Sequence, residues 1–104
     1  MKNYNYPIDT DWTNDEIVIV ITFLNAVELA YEKGIHIEEY QKAYKRFKEV
    51  VPSKSEEKQI GNKFEELSGY SLYRTVQLMR SKLKETSLNK KAQIMRMDID
   101  KRRA

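Results

Sequence analysis

The sequence predicts an all-α domain, a small antiparallel four-helix bundle with an extended N-terminal arm and a basic C-terminal extension. Three observations support this prediction. Apolar residues recur at intervals of three and four along most of the chain, which is the period of an α-helix. Capping residues, glycines and a proline divide the chain into four helical segments. The connections between these segments are short, which favours antiparallel neighbours.

Length and composition limit the classes of protein that the chain can belong to. Its 104 residues suit one domain, which we place at residues 1–84, followed by the extension at residues 85–104. The absence of cysteine excludes disulfides, thiolate zinc sites and cysteine nucleophiles. The longest apolar run, residues 17–24, is shorter than the ~20 residues that cross a membrane, and no signal-peptide pattern precedes it. We therefore expect a cytoplasmic protein with no membrane partner.

The net charge of +3 is unevenly distributed along the chain. Residues 1–34 carry −4, residues 35–84 carry +4 and residues 85–104 carry +3. A basic region attracts acidic partners or nucleic acid. The overall charge is too small to decide between these two kinds of partner.

The first twelve residues are predicted to form an arm that lies on the helical body. Tyr4, Tyr6 and Trp12 supply its apolar surface, and a buried aromatic side chain removes about 150–250 Å² from water. The first helix follows over residues 13–33, because Thr13 and Glu16 form a capping box.

The first helix contains an Ile-Val-Ile-Val-Ile run that would also suit a buried strand. The caps at both ends and the length between them favour a helix that ends at Gly34. Its apolar residues cover two faces, which predicts a central helix or one that pairs with a second copy of the chain. The first face comprises Ile17, Val20, Ile21, Leu24, Val27 and Tyr31, and the second comprises Ile19, Phe23, Ala26 and Ala30.

The remaining helices are placed by their caps and stops. They are predicted at residues 37–51 after His36, at residues 53–68 before Gly69, and at residues 71–84. The third has a narrow apolar stripe and is expected at the periphery. The extension repeats the helical spacing among basic residues, so we expect either a further helix or a loosely held tail.

Three stretches of the sequence resemble a known family. They are Tyr6-Pro7 with Asp11-Trp12, residues 43–54 (AYKRFKEVVPSK) and residues 68–77 (SGYSLYRTVQ). They resemble uncharacterised protein family 0223, the YktA-like small proteins of Gram-positive bacteria. This resemblance implies a small all-helical bundle and brings no assigned activity or catalytic residues. The chain beyond about residue 84 lies outside it.

The residue types needed for common catalytic sites are missing from the sequence. His36 is the only histidine, so di-iron, zinc-protease and triad arrangements cannot be assembled. The glutamate pairs, such as Glu38-Glu39, sit on helices where adjacent side chains point about 100° apart. We therefore predict no catalytic, metal or cofactor-binding residue. A minor enzyme using glutamate, tyrosine and arginine remains an alternative, and it would need Glu65 or Glu66 buried beside Arg74.

The basic residues around the second and third helices form one part of a candidate binding surface. Tyr40, Tyr44 and Phe47 alternate with these cations, and aromatic rings can stack on bases. Nucleic-acid binding through this basic face and the tail is therefore an alternative. The same three rings also fall on the apolar face of their helix, which favours a place in the core.

The second part of the candidate surface follows Gly69, where two tyrosines and an arginine begin the fourth helix. Tyrosine and arginine are enriched at interface hot spots. We therefore predict a small non-enzymatic module that binds a protein partner. Its predicted binding residues are Tyr70, Tyr73, Arg74, Lys45, Arg46, Lys48, Lys54 and Lys58.

Overall fold

The computed structural model describes residues 6–85 and 94–97. Within these residues the chain is mostly helical, with four helices and two short strands, so the predicted helical class is confirmed. The elements are α1 (Asn14–Glu32), β1 (Ile35–His36), α2 (Ile37–Val50), α3 (Lys54–Ser68), α4 (Leu72–Glu85) and β2 (Ile94–Met95). Tyr4, Leu88 and Ala92, on which the arm and tail predictions partly depend, lie outside the described residues.

Both ends of α1 are closed by the predicted signals. The Glu16 N–H donates to Thr13 Oγ1 at 3.1 Å, and the Thr13 N–H donates to Glu16 Oε1 at 2.9 Å. At the other end, Gly34 has a φ of +96° and its N–H donates to the Leu29 carbonyl at 2.6 Å. The β-branched run is therefore helical, because both termini are satisfied and the segment between them is long enough to be stable.

α1 is central, and its second apolar face lies inside the chain's own core. Phe23, Ala26 and Ala30 on that face are buried. The Phe23 ring lies 4.7–5.4 Å, centroid to centroid, from three aromatic rings of α2. These three residues are therefore covered by the chain itself, and homodimerisation through α1 stays a prediction.

The starts of α2 and α3 differ in how they are capped. The Ser53 hydroxyl accepts a hydrogen bond from the Glu56 N–H at 3.3 Å, as its sequence position predicts. His36 occupies the N-cap position of α2, but its side chain makes no capping hydrogen bond. Its backbone instead belongs to β1, a strand that the sequence pattern did not predict.

The predicted ends and burial of α3 agree with the structure. Gly69 closes the helix in the left-handed region, with a φ of +84°. Phe64 is the one fully buried side chain of this helix, while Leu67 remains 41% exposed. α3 is therefore attached through a narrow stripe, and most of its surface faces solvent.

Where the structure describes the extension beyond α4, at residues 94–97, it contains a strand and not a helix. β2 pairs antiparallel with β1, with Ile35 opposite Met95 and His36 opposite Ile94. Met95 is fully buried in the core. The pairing holds this segment against the body, so residues 94–95 form neither the helix nor the loosely held tail that the sequence predicted as alternatives.

The described part of the arm lies on the body, as predicted. The Tyr6 hydroxyl donates to the Glu28 carboxylate at 3.0 Å and to Asn25 Oδ1 at the same distance. Its ring lies 6.3 Å, centroid to centroid, from Phe64, and Trp12 is half-buried against the core. The arm therefore connects α1 to α3.

Candidate interaction surface

A groove between α3 and α4 brings together four of the eight predicted binding residues. It has a volume of about 670 Å³. Lys54 and Lys58 lie on its α3 wall, and Tyr73 and Arg74 lie on its α4 wall. The other residues of the walls include Glu57, Gly61 and Glu65 from α3 and Gln77 and Arg80 from α4, and the floor includes Tyr44, Leu72 and Val76.

The helical period places each set of wall residues on one face of its helix. On α3 the residues 54, 58, 61 and 65 are separated by four, three and four positions. Residues at this spacing share one side of an α-helix. At a rise of 1.5 Å per residue, the α3 wall is about 16 Å long.

Contacts across the groove join α4 to the middle of α3 and, through Tyr44, to the start of α3. Leu72, the first residue of α4, lies against Gly61 in the middle of α3. Arg80, further along α4, is close enough to Tyr44 to lower its pKa. The Tyr44 hydroxyl in turn donates to Glu57 Oε2 at 3.0 Å, near the start of α3.

Gly61 lets Leu72 pack closely against the middle of α3 because it has no side chain. A Cβ at this position would lie 3.6 Å from the Leu72 Cβ, which is ordinary van der Waals contact. An alanine therefore fits without displacing α4, whereas a longer side chain would extend into the space between the helices. In the sequence Gly61 is an isolated glycine. Its neighbouring residues do not indicate which helix it faces, so its place in the groove could not be predicted.

The groove has an excess of positive charge. Across the residues that the structure describes, no ion pair or side-chain hydrogen bond occupies Lys54, Lys58, Arg74 or Arg80. Glu57, by contrast, accepts hydrogen bonds from Lys48 Nζ at 2.6 Å and from the Tyr44 hydroxyl. Its charge is therefore largely compensated, which leaves Glu65 as the other carboxylate among the lining residues.

The pKa of Tyr44 reflects its burial beside the Glu57 carboxylate. Burial raises the pKa of Tyr44 to about 12, and the negative charge and hydrogen bond of Glu57 act in the same direction. The hydroxyl therefore stays protonated and acts as a donor at neutral pH. Its role here is to hold Glu57 at the edge of the groove.

Tyr73 is the large aromatic side chain that the groove presents to solvent. It is 69% exposed, and the neighbouring Arg74 is exposed as well. The Arg74 N–H donates to the Ser71 hydroxyl at 3.1 Å, which satisfies the start of α4 locally. The side chains of both residues therefore remain available to a partner.

Tyr70 does not line the groove, although the sequence placed it beside Tyr73 and Arg74. Its hydroxyl donates to Glu32 Oε2 at 2.8 Å. Its ring stacks on that of Tyr31, with centroids 4.5 Å apart and an interplanar angle of 9°. Burial and the hydrogen bond to Glu32 raise the pKa of Tyr70 to about 12. Tyr70 therefore connects the start of α4 to α1.

The basic residues of α2 are separated from the groove in different ways. Lys48 forms its ion pair with Glu57, and Lys45 borders a smaller pocket with Glu38, Glu39 and Lys42. Arg46 is exposed outside both pockets. The three rings between these cations, Tyr40, Tyr44 and Phe47, are buried. This confirms their interpretation as core residues, and it removes them as rings that could stack on bases.

The carboxylates considered for an enzymatic role lie at the surface. Glu65 and Glu66 are both exposed, and Glu65 shares the open groove with Arg74. Neither carboxylate is buried, so the arrangement required by the enzymatic alternative is not formed. Among residues 6–85 and 94–97, no three histidine, aspartate or glutamate side chains are grouped so as to hold a metal ion.

The fold and the groove define a small helical protein with an open, positively charged groove. Residues 3–88 match the model of a family described as Uncharacterised protein family (UPF0223). The chain belongs to this family, which confirms the resemblance found in its sequence motifs. The family is uncharacterised, so membership assigns no activity to the groove.

The relatives cover most of the chain and come from Gram-positive bacteria. A UPF0223 protein of Staphylococcus aureus (strain MRSA252) is 50% identical over 88 residues, which are 85% of this chain and 97% of the relative. One of Streptococcus sanguinis (strain SK36) is 52% identical over 81 residues, 78% of this chain and 88% of the relative. One of Listeria welshimeri is 54% identical over 78 residues, 75% and 87% respectively.

None of the helices in the described part of the chain combines the length and the apolar character that a membrane span needs.

Proposed function

We propose that this chain is a non-enzymatic protein-interaction module whose binding surface is the groove between α3 and α4. One observation carries the proposal: the exposed Tyr73 ring and the exposed Arg74 border the same open groove as Lys54 and Lys58. Exposed tyrosine and arginine beside an apolar floor are typical of interface hot spots. The groove is also large enough to take side chains of a partner.

The groove supports a protein partner better than a nucleic acid. Stacking on bases requires accessible rings, and the rings between the α2 cations are buried. Lys48 is neutralised by Glu57, which weakens the basic face that the nucleic-acid alternative requires. Binding of RNA or DNA would therefore have to rely on the remaining cations, the exposed Tyr73 ring and the tail.

Affinity capture from a lysate of the host tests this proposal. The bait is the full chain, and each capture is made with and without nuclease to separate protein partners from nucleic acid. We expect a nuclease-resistant protein to be captured and to be lost when Tyr73→Ala and Arg74→Ala are combined. The matched control combines Lys45→Ala and Arg46→Ala outside the groove, and it should capture normally.

Two outcomes would overturn the proposal. One is capture that disappears with nuclease. The other is equal capture by the groove variant and the control. Circular dichroism and urea unfolding of both variants are needed, because a variant that unfolds would lose its partner for a different reason. Tyr73 and Arg74 are exposed, so their substitution is expected to change the free energy of unfolding little.

We also infer that the four helices form an antiparallel bundle and that the protein works in the cytoplasm. The contacts of α4 with the middle of α3 and, through Tyr44, with the start of α3 support the first inference, as do the short connections. The absence of cysteine agrees with the second, because reducing compartments do not favour disulfides. Cell fractionation would test the location. Light scattering at high protein concentration would test whether another part of α1 supports a homodimer.

A further inference from the structure

We propose that the occupant of the groove is an acidic protein segment that carries at least one apolar side chain. This inference rests on the proposed function and adds the chemistry of the partner. It follows from the distribution of charge along the groove and from the exposed Tyr73 ring at its border.

The cations lie on both walls of the groove. Lys54 and Lys58 are one helical turn apart on α3, and Arg80 lies on the α4 side near Tyr44. Carboxylates entering between the walls can pair with cations from both helices, and arginine can bind a carboxylate through two hydrogen bonds. Because Glu57 is already held by Lys48 and Tyr44, it does not compete for these cations.

The floor of the groove requires more than charge from its occupant. Leu72 and Val76 form part of the floor but are only 3% and 4% exposed, and Leu72 packs against Gly61. The Tyr73 ring, which borders the floor and is 69% exposed, therefore offers most of the accessible apolar surface of these side chains. An aliphatic or aromatic side chain packed against this ring would bury apolar surface at about 25 cal/mol per Å². A segment with acidic residues alone would leave this apolar surface exposed to water.

The same geometry favours a peptide over a polynucleotide. Glu65 is an exposed carboxylate on the α3 wall. A nucleic-acid strand carries a phosphate on every nucleotide, about every 3.4 Å along B-DNA, so one of its charges would face Glu65. A peptide can place a neutral residue at that point. The α3 wall, about 16 Å long, matches about three turns of an α-helix or about five extended residues.

Fluorescence anisotropy with defined probes tests the inference on the full chain. The main probe is a short labelled peptide with glutamates on both sides of a central Leu-Phe pair. The comparison probes replace the glutamates by lysine, replace Leu-Phe by serines, or consist of single-stranded RNA. We expect the acidic apolar peptide to bind more tightly than each of the other three.

Substitutions locate the binding site. Lys58→Glu combined with Arg80→Glu should weaken binding of the main probe at least tenfold, or about 1.4 kcal/mol. Lys42 is an exposed lysine outside the groove, so Lys42→Glu is the control and should change binding little. Gly61→Gln should block the groove without changing its charge, whereas Gly61→Ala should fold and bind. Urea unfolding of each variant shows whether a loss of binding reflects a loss of fold.

The results that overturn this inference differ from those that overturn the proposed function. Equal binding of the serine probe, tighter binding of RNA, or equal weakening by Lys42→Glu would show that the occupant is not an acidic apolar segment. If lysate capture still depended on Tyr73 and Arg74, the groove would remain an interaction surface with a different partner. If both experiments failed, the groove would have no binding role.

Discussion

The side-chain oxygens of Tyr40 and Thr75 lie 2.6 Å apart in the fully buried core and connect α2 to α4. The Thr75 hydroxyl donates to the Leu72 carbonyl at 2.7 Å, so Tyr40 is the donor of the bond between the two side chains. Burial raises the pKa of Tyr40 well above its ordinary value, which keeps this donor protonated. The core therefore contains a polar pair in which both hydroxyls are satisfied.

The direction of this hydrogen bond predicts unequal effects of removing either hydroxyl. Thr75→Val leaves the buried Tyr40 hydroxyl without its acceptor, which costs about 1–3 kcal/mol. Tyr40→Phe leaves Thr75 bonded to Leu72 and should cost less, about 0.5–1.5 kcal/mol. The combined variant should be less destabilised than the sum of the two, since neither hydroxyl is then left unpaired. Urea unfolding followed by circular dichroism measures all three, and a larger cost for Tyr40→Phe would contradict the assignment.

The two glycines with positive φ should respond differently to alanine. At Gly69 no atom lies within 4 Å of an added Cβ, so Gly69→Ala should cost only the backbone strain, about 1–2 kcal/mol. At Gly34 the added Cβ would lie 3.0 Å from Ile94 Cγ2 and 3.3 Å from the Met95 carbonyl oxygen. Gly34→Ala should therefore have the larger effect on thermal unfolding. Equal melting temperatures for the two variants would show that β2 does not pack there.

The buried methionine of β2 tests whether the extension contributes to stability. Met95 is fully buried, so Met95→Ala should lower the free energy of unfolding by about 2–5 kcal/mol. Ile94 is 50% exposed on the adjacent position, and Ile94→Ala serves as the control with a smaller effect. Denaturant titration compares the two. Similar small effects would mean that this strand is not part of the stable core.

The arm should make stability depend on alkaline pH through Tyr6. Burial and then the Glu28 carboxylate raise the pKa of Tyr6 in the folded chain from 10.0 to about 12. The unfolded chain loses this proton first, so the contribution to stability is complete below pH 10 and decreases between pH 10 and about 12. The free energy of unfolding of the Tyr6→Phe variant should fall less steeply over this range. Parallel curves for the two proteins would exclude this contribution, because lysine titration is common to both.

Local chemistry in the sequence predicted the helices and most of their ends. The capping box at Thr13, the serine at the start of α3, and the glycines after α1 and α3 all act through neighbouring backbone groups. Such signals are readable because donor, acceptor and stop lie within a few residues of one another. The helical spacing of α2 likewise predicted that Tyr40, Tyr44 and Phe47 belong to the core.

Tertiary structure alone decided how distant parts of the chain meet. The pairing of β1 with β2 joins residues far apart in sequence through two residues each, which is too short to leave a periodic pattern. Lys58 and Arg80 share a groove, and Tyr70 leaves that groove to stack on Tyr31. These relationships depend on which face each helix turns to its neighbours. That choice is set by packing of the whole core, and no single segment of sequence contains it.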